Sequence, residues 1–282
     1  TLIFIILSIF CIILSAIVIE KSIKRNKIYN QYVAQIQEIK RQEEEKQKQI
    51  AEEAERKRQE KLPELTEVGR QNIENIYHSD TKRAFLTFDD GPSAVTPRIL
   101  DTLKQENIKA TFFVLGSKVK NNPELTKRIY NEGHFIAIHG TSHVYSQIYS
   151  SEQAVLDEYN QCLEEIRNAL GEKEYNPHLF RFPGGSVGGN YADVKQRAKD
   201  LLSQNEILTV DWNALNGDAE TNNLSSEFEL NRLNETISGK NSIVILMHDS
   251  PLKSVTADTL PQIISNLRNQ GYEFQNFYEI IK

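Results

Sequence analysis

Apolar and polar positions divide the chain into three stretches. Residues 1–19, TLIFIILSIFCIILSAIVI, carry no charge. Residues 20–62 are almost wholly polar. From about Leu62 onward the two kinds mix with the short periods of a globular domain. Within that part, β-rich runs fall at Ala84–Phe88, Ala110–Leu115, Phe135–Ile138, Leu179–Phe182, Ile207–Val210, Ile243–Met247 and Tyr272–Phe277. Amphipathic stretches lie between them, at Thr96–Glu106, Glu124–Asn131, Glu152–Leu170, Tyr191–Gln204, Ser225–Ile237 and Ala257–Asn269. Gly133, Gly171 and Gly271 sit at helix ends, where a left-handed residue is wanted. Regular alternation of strand and helix predicts an α/β fold, a parallel sheet with helical crossovers. About seven repeats in about 200 residues predict a closed or nearly closed barrel, whose chemistry gathers at the C-terminal strand ends.

At ~1.5 Å per residue the first 19 residues span about 28 Å, close to the thickness of a bilayer's hydrocarbon core. A lone soluble helix is seldom apolar on every side. A cleaved signal peptide normally has a shorter apolar region and a small-residue cleavage site. The expectation is therefore an uncleaved membrane anchor at 1–19. Lys21, Lys24, Arg25 and Lys27 would place the following side in the cytoplasm, and a basic cluster ahead of Thr1 would reverse that balance. The charges leave orientation open. Residues 20–79 read as a charged helical stalk and linker. Glu and Gln alternate there with Lys and Arg, and acid–base pairs three or four apart support a helix. After Ile39 apolar residues dwindle to Ile50, Ala51 and Ala54, so no sustained coiled-coil seam forms. A solvated single helix or weak coiled coil is expected, interrupted at Pro63. The remainder, 80–282, is the expected catalytic domain.

Charge narrows the function classes. The formal net charge is −6, and no basic stripe crosses the globular part, which disfavours a nucleic-acid binder. Two cysteines, Cys11 and Cys162, exclude a disulfide scaffold.

Polar residues that follow the strands then change the picture. TFDDGPS ends the first strand with Asp89 and Asp90, and IHGTSH ends the third with His139 and His143. RFPGGS brings Arg181, DWNALNGD brings Asp211 and Asp218, and LMHDS brings His248 and Asp249. Singly these are weak signals. Asp-Asp-Gly-Pro is an ordinary turn, and histidines four apart arise often by chance. Their common position at one end of successive strands is what carries weight. Two histidines four apart share a helix face and can reach one cation. Adjacent residues leaving a strand point to opposite sides, so Asp89 and Asp90 are expected to take different tasks. Two imidazoles and one carboxylate leave an open position on Zn²⁺ or a similar ion. A second carboxylate and a separate histidine supply base and acid. The set predicts metal-assisted hydrolysis of an amide or ester and leaves the acyl group open.

The ordered motifs TFDDGPS, H-x-x-x-H, RFPGG, WNALNGD and LMHD resemble the NodB-homology polysaccharide deacetylases, carbohydrate esterase family 4, over roughly residues 80–282. The resemblance implies a distorted (β/α)7-type barrel and a divalent metal, zinc first, with Co²⁺, Mn²⁺ or Ni²⁺ also compatible. It implies removal of acetyl groups from N-acetylglucosamine-type sugars. By resemblance Asp89 is the general base and Arg181 its partner. Asp90, His139 and His143 are the metal ligands. Gly184 offers the oxyanion N–H, Leu246 lines the acetyl pocket, and His248 is the general acid. Asp218 orients His248, with Asp211 a lesser candidate, and Trp212 faces either groove or core. Three positions depart from the family pattern. Gly140 stands where Ser or Thr is usual, with Thr141 as substitute donor, Gly184 where Tyr is frequent, and Ala219 where Trp is frequent. Anchor and stalk together imply a single-pass membrane protein acting outside the cell on a glycan polymer, peptidoglycan first. Chitin, exopolysaccharide and acetylxylan are the alternatives, as are a non-catalytic glycan binder and a tethered coiled coil. The oligomeric state is left open.

Overall fold

The computed structural model describes residues 2–282, in a first unit ending at Glu60 and a second, Lys61–Lys282. The first unit is one helix, Leu2–Glu60, with no buried residue. Its apolar beginning is long and apolar enough to cross a membrane. Ser8 and Ser15 donate their hydroxyls to the carbonyls of Phe4 and Cys11, so neither group is left unbonded. Farther along, the pairs Glu38–Arg41, Glu53–Lys57 and Glu55–Arg58 brace a helix that has no apolar face. Such exposed pairs are screened by water and add little to stability.

Eight strands form the second unit: β1 Arg83–Asp89, β2 Thr111–Val114, β3 Phe135–Ile138, β4 Leu179–Phe180, β5 Leu208–Thr209, β6 Ala214–Leu215, β7 Ser242–His248 and β8 Glu273–Gln275. All pairs are parallel, in the order β5-β4-β3-β2-β1-β7-β6, with β8 against the first half of β1. This is the expected distorted barrel, a curled sheet that stays open between β5 and β6. All seven expected strands are present. β6 is additional, a two-residue pairing with β7 inside a stretch read as loop. Strands that short carry no period. The single helical turns Tyr145–Ile148 and Tyr278–Ile281 escaped the pattern for the same reason. Gly133, Gly171 and Gly271 all have positive φ, as their places at helix ends require.

One boundary is corrected. Residues 61–79 were expected as linker, yet Leu62, Ile73 and Ile76 are buried. Thr66 caps the helix Glu67–Glu74 by accepting from the Gly69 N–H. That helix rests on the chain's last turn. A Cβ on Gly69 would lie 1.8 Å from the Ile281 carbonyl oxygen, so only glycine admits this contact.

The pleat sorts the sheet into two faces. Phe85, Phe113, Phe135, Leu179, Leu208 and Val244 share the inner cluster with Phe277. Alternate residues, such as Leu86, Phe112, Ile136, Phe180 and Ile245, join the larger core beneath the helices. Carrying the inner parity to the C-terminal strand ends reaches Asp89, His139, Arg181 and His248.

Candidate active site

Asp89 and His248 are register partners across β1 and β7. Neighbouring strands therefore deliver a carboxylate and an imidazole to one spot. Asp90 comes next with φ +74, a left-handed backbone that aspartate tolerates better than most residues. The usual alternation is thereby broken. Asp89 Oδ2 and Asp90 Oδ1 both face His139 Nε2, at 3.7 and 3.6 Å. The two acids do not point to opposite sides, as plain strand geometry predicted. They stand on the same side and differ in their partners.

His139 and His143 are likewise not on a helix. His143 has φ +57 in an irregular loop, and its Nε2 lies 3.3 Å from Asp90 Oδ1. Donor atoms of Asp90, His139 and His143 all fall within 4.8 Å of one another. His139 Nδ1 lies 2.9 Å from the Arg181 carbonyl oxygen. An acceptor there puts the ring proton on Nδ1 and leaves the Nε2 lone pair facing Asp90. Burial, the largest cause, pushes the His139 pKa down to about 3, so the ring is neutral. Asp90 Oδ1 is buried without a hydrogen-bond partner among the described residues. Two imidazoles around an orphaned carboxylate oxygen form a donor set suited to a divalent cation. Left-handed residues at two of its three corners are local strain, of the kind that functional sites hold at about 1–3 kcal/mol each.

Glu158, on the helix Glu152–Leu170, holds the loop between the histidines. Its carboxylate accepts from the Thr141 and Ser142 N–H groups and from the Ser142 hydroxyl, while its carbonyl accepts from the Thr141 hydroxyl. Thr141 thus bonds as expected, to a partner the sequence did not indicate. Gly140 has φ +97, and a Cβ there would press on Glu158 Oε2 at 3.2 Å.

Arg181 is wholly buried. It donates to Asp89 Oδ1 at 2.9 Å, to the Thr87 hydroxyl, and to the Val210 and Asp211 carbonyls. Its guanidinium lies 3.9 Å from the Phe113 ring centre. Burial raises the Asp89 pKa, and Arg181, followed by His248, opposes that rise. The balance leaves the carboxylate's pKa raised, so it is proton-hungry, the condition of a general base.

His248 Nδ1 donates to Asp218 Oδ1 at 2.7 Å, and its backbone N–H donates to Asp218 Oδ2. Burial alone would lower the pKa of this ring. Asp218, with Asp89 and Asp90, outweighs it and raises the pKa to about 9. Behind Asp218, the Thr256 hydroxyl lies within reach of both Asp218 Oδ2 and Glu229 Oε1. Burial, then the Asp218 charge, pushes Glu229 up to about 7. Asp211 is not the histidine's partner, since its carboxylate accepts from the Ser186 N–H and hydroxyl.

Of the remaining expected residues, Gly184 has φ +73 and Leu246 is buried two residues before His248. Trp212 is partly buried against the inner core, and a Cβ on Gly185 would touch it at 3.3 Å. His134 stands instead before β3, its Nδ1 accepting from the Ala110 N–H. Sequence reasoning missed Glu158, Glu229 and Thr256. All are helix residues with no motif around them, and only packing reveals their targets. Buried Asp249, beside His248, accepts from the Thr96 hydroxyl. It lies so close to Gly91 that a Cβ there would fall 2.1 Å from Asp249 Oδ2.

The polysaccharide deacetylase family model matches residues 77–202. A peptidoglycan-N-acetylglucosamine deacetylase of Bacillus cereus is 33% identical over 203 residues, 71% of this chain and 71% of that protein. The deacetylase PgdA of Listeria monocytogenes is 36% identical over 71% of this chain, but only 39% of its own length is matched. Among solved structures, a CE4 esterase of Streptococcus mutans superposes with a TM-score of 0.67 at 31% identity, covering 76% of this chain and 92% of that one. The chain belongs to the NodB-homology polysaccharide deacetylase family, carbohydrate esterase family 4.

Proposed function

We propose that this protein removes acetyl groups from N-acetylglucosamine residues of peptidoglycan, with a divalent cation, zinc first, held by Asp90, His139 and His143. The observation that carries the reading is that donor set beside Asp89, which is paired with Arg181, on the strand next to His248, which is paired with Asp218. A cation held by Asp90, His139 and His143 would supply Lewis acidity to the acyl carbonyl and to the attacking water. Asp89 takes the proton of the attacking water, and Arg181 fixes the carboxylate's angle. The Gly184 N–H donates to the acyl oxygen as charge builds on it. His248, charged through Asp218, gives its Nε2 proton to the departing sugar amine. Leu246 and Trp212 wall the space around the acetyl group. Peptidoglycan is preferred because the similar Bacillus and Listeria proteins carry that substrate in their names. The long apolar helix fits an enzyme tethered at the cell surface with its hydrolase unit, residues 61–282, facing the wall.

The test is acetate release by the metal-loaded protein from peptidoglycan fragments, chitooligosaccharides and acetylxylan, with and without a chelator. Peptidoglycan fragments are expected to be the best substrate. Chelation and Asp89→Asn should each reduce turnover at least a hundredfold, on the order of a lost oxyanion donor or more. Activity indifferent to both would sink the mechanism. Preference for acetylxylan would move the substrate to an ester.

A further inference from the structure

Past His143 the chain reads Val-Tyr-Ser-Gln-Ile, and Tyr145 opens the helical turn Tyr145–Ile148. Its ring is 5.6 Å from the His143 ring and 5.7 Å from that of Tyr149. Tyr149 is itself fixed, its hydroxyl donating to the Pro183 carbonyl at 2.6 Å. The Tyr145 phenol is thereby aimed at the next residue, Gly184. An ideal Cβ on Gly184 would lie 2.5 Å from the Tyr145 hydroxyl oxygen. Where many relatives by resemblance have a tyrosine at this point of the third motif, this chain has glycine, and a tyrosine from another loop fills the space. The buried hydroxyls of Tyr149, Tyr159 and Tyr175 all have partners. The Tyr145 hydroxyl has none among the described residues, and the side chain is 39% exposed. A donor held in place by two rings, beside an oxyanion glycine and a metal-set histidine, is free for a ligand.

We propose that Tyr145 contacts the substrate, its phenolic O–H joining the Gly184 N–H in donating to the acyl oxygen of the N-acetylated sugar. The assignment rests on the deacetylase reading above. Gly184 is required twice, for its left-handed backbone and for the room its missing side chain leaves to the phenol.

The experiment compares the full metal-loaded chain with Tyr145→Phe on an N-acetylglucosamine oligomer. The readouts are kcat and KM, bound zinc and melting temperature. A donor that acts as charge develops lowers kcat about 10–100-fold and leaves KM within about threefold. Zinc content and melting temperature stay at wild-type values, because the lost hydroxyl binds nothing in the resting protein. A variant within about twofold of wild type in both constants overturns the proposal. So does a rise in KM alone, which marks a contact made equally in the ground state. Loss of zinc or of thermal stability also overturns it, by showing a structural role. If the zinc-loaded wild type releases no acetate from any acetylated oligosaccharide, the deacetylase reading fails and takes this assignment with it. An active wild type beside an unaffected variant removes Tyr145 alone.

Discussion

Replacing Asp218 by Asn tests the electrostatics on which proton delivery depends. Both carboxylate oxygens are committed, Oδ1 to His248 Nδ1 at 2.7 Å and Oδ2 to the His248 backbone N–H at 2.8 Å. Burial works against the imidazolium, yet Asp218 and the other two carboxylates carry its pKa from 6.5 to about 9. At ~1.4 kcal/mol per pH unit, that is roughly 3 kcal/mol of preference for the charged ring. An amide keeps the shape and loses the charge. The His248 N–H and Thr256 retain its oxygen, so the NH₂ turns toward Nδ1, where a proton can no longer be held. With His248 as the proposed acid, activity should be present below its pKa and lost as pH rises through it. If that pKa falls to about 6.5, the protonated fraction drops roughly 30-fold at pH 8 but less than about twofold at pH 6. A dication on Asp90 lowers both proteins' values together, so the difference is the quantity to measure. The assay is kcat/KM for acetate release across the pH range, with an NMR titration of the imidazole C–H signals in metal-free protein. If the variant's alkaline limb and its imidazole titration coincide with those of the wild type, the reasoning is refuted.

Three further outcomes follow from particular contacts. Arg181→Met leaves Asp89 buried and unpaired; it should destabilise the fold by about 3–5 kcal/mol in urea unfolding. It should also move the acid limb of the rate profile to higher pH, because Asp89 loses the cation that favours its ionised form. Glu158→Ala removes the acceptor shared by three donors of the histidine loop. Zinc affinity, read by competition with a chromogenic chelator, should fall about 10–100-fold, the usual cost of losing an outer partner of a metal site. Glu158→Gln, which still accepts, should recover part of that loss. A chain starting at Lys61 should unfold cooperatively on heating. A chain starting at Asp80 loses buried Leu62, Ile73 and Ile76, each worth about 2–5 kcal/mol, and should melt much lower or aggregate.

Much of the fold was legible because its signals are local. The β-rich runs and the glycines that end helices show themselves within ten residues. The linker reading of 61–79 failed because the eight-residue helix Glu67–Glu74 is too short to display a period, and its partner, Ile281, lies at the other end of the chain. In the site, the chemical kinds were legible but their arrangement was not. Alternation placed Asp89 and Asp90 on opposite sides, whereas a left-handed backbone at Asp90 sets both before His139. The histidine spacing suggested a helix, whereas a loop held by Glu158 brings the two rings together.

The order of motifs along the chain determined the family and the sheet, and it named candidate reacting groups, because residue type and strand parity are properties of the sequence itself. Partnership was decided only by folding. Asp211 and Asp218 are equally plausible on paper, and the one that reaches His248 is fixed by how β6 lies against β7. Tyr145 meets Gly184, and Glu158 meets Thr141, across distances in sequence that no spacing rule spans. Side chains from separate loops meet only when the curled sheet brings its strand ends together, and burial then makes each meeting count by weakening the screening of water.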